Sequence, residues 1–137
     1  MEETLVLIKP DGMANIEYIL EILYKNGLKV DRFKVMEMDE ELILEHYGHV
    51  ADKPFFPRLK EFMMSAPIAA MVLTGENAVA KVREVIGCTN SLEAKEGTVR
   101  NLFGTDSTKN AIHASDSVEN AQIEIDRFFN RENKKCK

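Results

Sequence analysis

Apolar positions along the chain change period several times, and each change marks an element. Residues 4–9 form a short, largely branched apolar run that Pro10-Asp11-Gly12 stops, the pattern of a buried strand. Ile16, Ile19, Leu20 and Leu23 then recur at helical spacing, and Asn26-Gly27 closes that helix. Residues 28–38 alternate, with Val30, Phe33, Val35 and Met36 as the apolar positions, which predicts a second strand. Two helices are predicted next, over residues 40–47 and 55–64, the latter with Phe56, Leu59 and Met63 on one face. Residues 68–73 are a fully apolar strand, and residues 76–86 a helix with Val79, Val82 and Ile86 inward. Residues 87–97 have no period and read as loop. Residues 98–103 suit a helical turn and 111–114 a last strand. Val118, Ala121, Ile125 and Phe128 mark the last helix.

Four strands alternating with helices through long connections imply helices packed on a sheet. The grammar suits an α+β ferredoxin-like sandwich, a four-stranded antiparallel sheet with helices packed on it. A doubly wound parallel sheet is the alternative, for which four strands are few. The 137 residues favour one domain, residues 1–137, of which 130–137 are a short basic tail.

A formal net charge of −5 gives no support for nucleic-acid binding, so an anionic partner would have to be held by a few placed Lys and Arg side chains. Cys88 and Cys136 form no C-x-x-C pair, which suits a reducing cytoplasm. Glu2 and Glu3 precede an apolar run too short for a signal peptide, and no window approaches the ~20 apolar residues of a membrane span.

The stretch NAIHASDSVENA, residues 110–121, places His113 at the end of a strand-like run, just before a helix start. Asp116-x-x-Glu119 has the form of a capping box with Asp116 as N-cap. A helix N-terminus also favours a nearby phosphate. On period alone, His113 reads more readily as a core residue than as a catalyst. His46 and His49 form an H-x-x-H, but without further ligands nearby they read as solvated surface rather than a metal site. Neither G-x-x-x-x-G-K-[ST] nor G-x-G-x-x-G occurs. A nucleotide would therefore be held by dispersed side chains: Lys9, Arg83, Thr89, Asn90, Arg100 and Asn110 are the candidates, Arg being suited to bidentate phosphate contacts.

The segments LVLIKPDGM (5–13), EHYGHVADKPFFPRL (45–59), MSAPIAAMVLTGENAV (64–79), IGCTN (86–90), GTVR (97–100) and NAIHASDSVENAQIEI (110–125) occur in register. Together they resemble the nucleoside diphosphate kinase family, from residue 4 to about 129. The resemblance implies γ-phosphate transfer from a nucleoside triphosphate to a diphosphate. It is ping-pong through a phosphohistidine, tolerant of many bases, with Mg²⁺ carried mainly on the nucleotide phosphates rather than by protein ligands. It further implies that His113 is the phosphorylated residue, Glu124 the acid that orients its ring, and Ser115 the hydroxyl supporting that pair. Lys9 and Tyr47 then lie near the transferred group. Arg83, Thr89, Arg100 and Asn110 contact phosphate and sugar, and Phe55 and Leu59 lie against the base. The implied assembly is a homo-oligomer, a tetramer or hexamer built from dimers.

Several positions depart from the family pattern. Residues 13–15 form a turn two residues shorter than usual, and Ser107 replaces an apolar residue facing the base, which predicts a weaker clamp. Ser91 and Glu96 stand where prolines are common, in a loop that usually helps subunit contacts. The tail lacks the long extension of many eukaryotic members, as in a microbial form. These departures leave two other readings to weigh: a nucleotide-binding or interaction module of this fold without turnover, and a phosphohistidine carrier.

Overall fold

The computed structural model describes residues 1–130. Four strands, β1 (Glu2–Ile8), β2 (Lys29–Met36), β3 (Ile68–Gly75) and β4 (Ile112–Ala114), form one sheet in the order β2-β3-β1-β4. Every pairing is antiparallel, which gives the α+β sandwich and excludes the parallel alternative. Residues 1–130 fall around this single sheet. Residues 131–137 of the predicted tail, Cys136 included, lie outside the described residues.

The central strands explain their own composition. Successive strand side chains point to opposite faces. Leu5 and Leu7 join Ala70 and Val72 in one apolar cluster, while Val6 and Ile8 join Ala69, Met71 and Leu73 in another. Both faces are covered, so β1 and β3 read as unbroken apolar runs. The first face is closed by α2 (Glu40–Tyr47), α3 (Phe56–Met64) and α6 (Val118–Phe129), through Leu42, Ile43, Phe56, Leu59, Met63, Ile125 and Phe128. The second is closed by α1 (Ile16–Lys25), α4 (Ala78–Ile86) and α5 (Val99–Phe103), through Ile19, Leu23, Val82, Ile86 and Val99. No helix among the described residues is long and apolar enough to cross a membrane.

Edge strand β2 behaves differently. Its register slips between Val30 and Arg32, so Asp31 is an extra residue. The slip puts Val30, Phe33 and Val35 opposite Leu73, Met71 and Ala69, on one face, yet all three are about half exposed. On the other face Arg32 and Lys34 lie over the Phe129 ring.

Element ends shift by one or two residues from the sequence reading, and two of the shifts flank His113. The last strand begins at Ile112, because Ala111 has φ 71°, a left-handed conformation outside any strand. The N-cap of α6 is Ser117, whose extended backbone lets its hydroxyl accept from the Asn120 N–H. The predicted box on Asp116 is therefore one residue out of step; the Asp116 carboxylate accepts from the Asn120 side-chain amide instead. The shortened segment after Lys9 is a 3₁₀ turn, Pro10–Asn15, running directly into α1. A Cβ on Gly12 would collide with the Ala111 carbonyl oxygen, so only glycine lets this turn close onto the residues before β4.

Candidate active site

His113 is the middle residue of β4, paired with Leu7 of β1. Its approach is clamped by the turn after β1: Ala111 N–H donates to Asp11 Oδ2 at 3.0 Å and Lys9 N–H donates to the Ala111 carbonyl at 2.9 Å. These two bonds hold Ala111 in its strained conformation and thereby set where His113 emerges. One turn structure thus places both Lys9 and the histidine.

Opposite, α6 turns Ala121, Ile125 and Phe128 into the core, and Glu124 falls on the same face. Its Oε1 accepts from both His113 Nε2 and Ser115 Oγ, each at 2.8 Å. A carboxylate only accepts, so the His113 proton sits on Nε2 and Nδ1 carries a bare lone pair. Burial, the largest influence, pulls the His113 pKa below 6.5 against the opposing hydrogen bond and charge of Glu124; Lys9 and Arg100 push the same way as burial. For Glu124, burial is the largest single influence and would raise the pKa, but the bond and charge of His113, the Ser115 hydroxyl and Arg127 together outweigh it and hold the acid below its ordinary value. The histidine is thus neutral near pH 7 and still 22 % exposed.

The His113 ring opens into a cavity of about 940 Å³. Lys9, Tyr47, Phe55, Leu59, Arg83, Thr89, Arg100 and Asn110 all line it, together with His113 and Glu124. Of the residues singled out from the sequence for catalysis or binding, Ser115 and Asn90 do not; Ser115 is buried behind Glu124 as a support.

Cations dominate the cavity wall. Lys9 is buried, its ammonium donating to the Thr108 carbonyl at 3.3 Å, and burial followed by the charge of Arg100 brings its pKa down to about 8. Arg100 donates to the Gly87 and Ile112 carbonyls, which aim it from α5 toward β4. Burial and then Arg83 lower its pKa to about 10. Arg83 reaches the Ala114 carbonyl at 3.3 Å. Asn110 donates to the carbonyls of Thr89 and Ser107, tying two loops together. The Tyr47 hydroxyl is fully buried, which pushes its pKa up. Around this cavity Tyr47 Oη, Arg100 Nε and Asn110 Oδ1 are buried with no hydrogen-bond partner among the described residues. Buried polar atoms are normally satisfied.

The structure also brings in residues that sequence reasoning did not select: His46, Arg58, Thr108, Asp116 and Arg127 line the same cavity. His46 is a correction. It is only 4 % exposed, whereas His49 is a surface residue. The H-x-x-H is therefore not a solvated pair. Leu42, Ile43, His46 and Tyr47 share the inward face of α2, a spacing that signals burial of the histidine. Ser107 lines the cavity and follows Asp106, which accepts from Arg58 at 2.7 Å.

Mg²⁺ takes oxygen ligands. Of the carboxylates at the cavity, Glu124 is engaged by His113 and Ser115, Asp116 by Asn120, and Glu45 by Arg127. His46, His113 and Glu124 bring potential ligand atoms within 4.8 Å of one another, but two are nitrogens and all three are already hydrogen-bonded. Such a wall fits a cation that arrives on phosphate oxygens.

Comparison with known proteins gives one result throughout. A family model described as nucleoside diphosphate kinase matches residues 2–134. The chain is 47 % identical over 131 residues to a nucleoside diphosphate kinase of Chlamydia trachomatis serovar L2, covering 94 % of this chain and 93 % of that one. It superposes on the Aquifex aeolicus nucleoside diphosphate kinase with a TM-score of 0.88 and 44 % identity, over 93 % and 94 % of the two chains. A Halobacterium salinarum nucleoside diphosphate kinase solved in complex with CDP gives a TM-score of 0.89 and 42 % identity, over 93 % and 87 %.

Proposed function

The chain belongs to the nucleoside diphosphate kinase family and is an enzyme of it; from that premise we propose that it works through a phosphohistidine formed on Nδ1 of His113. The bare Nδ1 lone pair attacks the terminal phosphorus of a nucleoside triphosphate. The bond from that phosphorus to its bridging oxygen breaks, and the electron pair leaves with the diphosphate. A second diphosphate then enters, and a terminal phosphate oxygen takes the phosphoryl group back, restoring the neutral imidazole. No proton has to move at Nδ1 in either half. The observation that carries this reading is the shared carboxylate oxygen of Glu124, which fixes the tautomer from one side and leaves the other side facing the cavity.

Phosphoryl transfer needs positioning and charge neutralisation more than covalent assistance. Lys9, Arg83 and Arg100 supply the charge. The unpartnered Tyr47 Oη, Arg100 Nε and Asn110 Oδ1 would gain partners from phosphate and ribose. Phe55 and Leu59, with Phe55 half exposed, offer an apolar face to a base, and a π-face contact serves every base. The polar Ser107 makes the clamp looser. Mg²⁺ carried on the nucleotide phosphates would add to this charge neutralisation.

We also propose a homo-oligomer assembled from dimers, four or six chains in all. Its support is the exposed apolar stripe of Val30, Phe33 and Val35 on an open strand edge, a ready template for pairing.

The mechanism is tested by exposing the protein to γ-labelled ATP with Mg²⁺ and then to unlabelled diphosphates. An acid-labile label that any diphosphate removes is expected. A label that diphosphates cannot discharge indicates a carrier, and no label indicates a binding module; either result contradicts the proposal.

A further inference from the structure

Resting on the assignment of His113 as nucleophile, we infer that His46 is a positioning residue: its ring, tethered by Arg127, is the wall that holds the His113 imidazole in its reactive orientation. The two rings meet edge to face, 79° apart in plane with centroids at 4.6 Å. His46 is gripped in the same way by Tyr47 at 4.6 Å and by Phe128 at 5.1 Å, so α2 and α6 both fix it.

The polar edge of the ring is also constrained. Arg127 Nη1 lies 2.9 Å from His46 Nδ1, and Arg127 Nε donates to Glu45 Oε2 at 3.2 Å. Guanidinium can only donate, so His46 Nδ1 must accept and its proton resides on Nε2. Burial above all, then the electrostatic influence of His113, Arg127, His49 and Lys9, pushes the His46 pKa well below 6.5. His46 Nε2 has no hydrogen-bond partner among the described residues. Space-filling alone does not call for a ring here, since a leucine would fill the site with no polar group to leave unpaired.

Glu124 alone leaves the His113 ring free to pivot about the Nε2–Oε1 bond. A flat ring packed against it removes that freedom. A nucleophile misplaced by about 1 Å can lose ~10²-fold in rate, so the wall acts on the chemical step rather than on nucleotide affinity.

The test compares His46→Leu, which removes the planar ring and the acceptor, with His46→Phe, which restores the ring. Phosphorylation of His113 is followed in rapid quench across a range of Mg·ATP concentrations, with thermal unfolding recorded alongside. The Leu variant is expected to lower the saturating rate about 10- to 100-fold with half-saturation moved less than about twofold. The Phe variant is expected to recover most of that loss. An unchanged rate in Leu, a rise in half-saturation matching the fall in rate, or a Phe variant as slow as Leu would each overturn the inference. A Leu variant that does not fold is replaced by His46→Met, which fills the site without a flat face. Failure of the parent reading is a separate event, seen as absence of label in the unsubstituted protein.

Discussion

At the scale of single residues, two shifted groups predict the pH dependence. His113 has its pKa lowered below 6.5, mainly by burial, so the nucleophile stays neutral until the pH falls beneath that value. Lys9 titrates at about 8, so in the free enzyme its positive charge is lost as pH rises through that point. The expected kcat/KM profile is a bell, rising with pH to a plateau near neutrality and falling above about 8. A profile flat from pH 5 to 10 would show that neither group matters. Removing the charge of one cavity donor, for instance Arg100→Met, is expected to cost about 10²–10³-fold in kcat, measured at saturating substrate. Most of these residues were legible in the sequence, but only through six motifs in register. Period and composition read His113 more readily as core and gave no hint that positions 9, 47, 83, 100 and 113 meet. His46 was misread for a physical reason: beside His49 it resembled a surface pair, and only the inward spacing of α2 distinguishes the two.

Among the elements, α2 carries Tyr47 and His46, so its stability bears directly on the site. Its N-terminus is capped by Asp39, whose carboxylate accepts from the Leu42 N–H at 2.8 Å. Asp39→Ala is expected to cost about 1 kcal/mol of unfolding free energy, read as a lower urea midpoint with unchanged slope. No change in midpoint would mean that the cap is not made in solution. Element types followed closely from period, because β1 and β3 are covered on both faces and α1, α3, α4 and α6 on one. The ends were less legible. Ala111 leaves the strand because Asp11 and Lys9 pull it there, and Ser117 takes the cap from Asp116 because its own backbone is extended. Both outcomes depend on partners or geometry that a local pattern does not contain.

For the whole molecule, strand order and the faces of the sheet are what assemble the site: β4 beside β1 brings His113 next to Lys9, and α6 over that edge supplies Glu124. Antiparallel pairing was expected from the order of elements, whereas the order β2-β3-β1-β4 depends on long-range pairing that no window of sequence displays. The bulge at Asp31 is likewise invisible in sequence, yet it aligns Val30, Phe33 and Val35 into one exposed stripe. Val35→Glu would place like charges opposite each other in a two-fold contact. Light scattering after size exclusion is expected to show smaller particles than for the unsubstituted chain; an unchanged mass would place the subunit contact elsewhere. The central claim, that one imidazole nitrogen carries the phosphoryl group between nucleotides, is tested most directly by mapping the modification. Protein treated briefly with Mg·ATP, digested under alkaline conditions and sequenced by mass spectrometry should carry phosphate on His113 alone. The His113→Ala chain, folded to the same helical content, should carry none. Phosphate on another residue, or undiminished labelling of the alanine variant, would contradict the account.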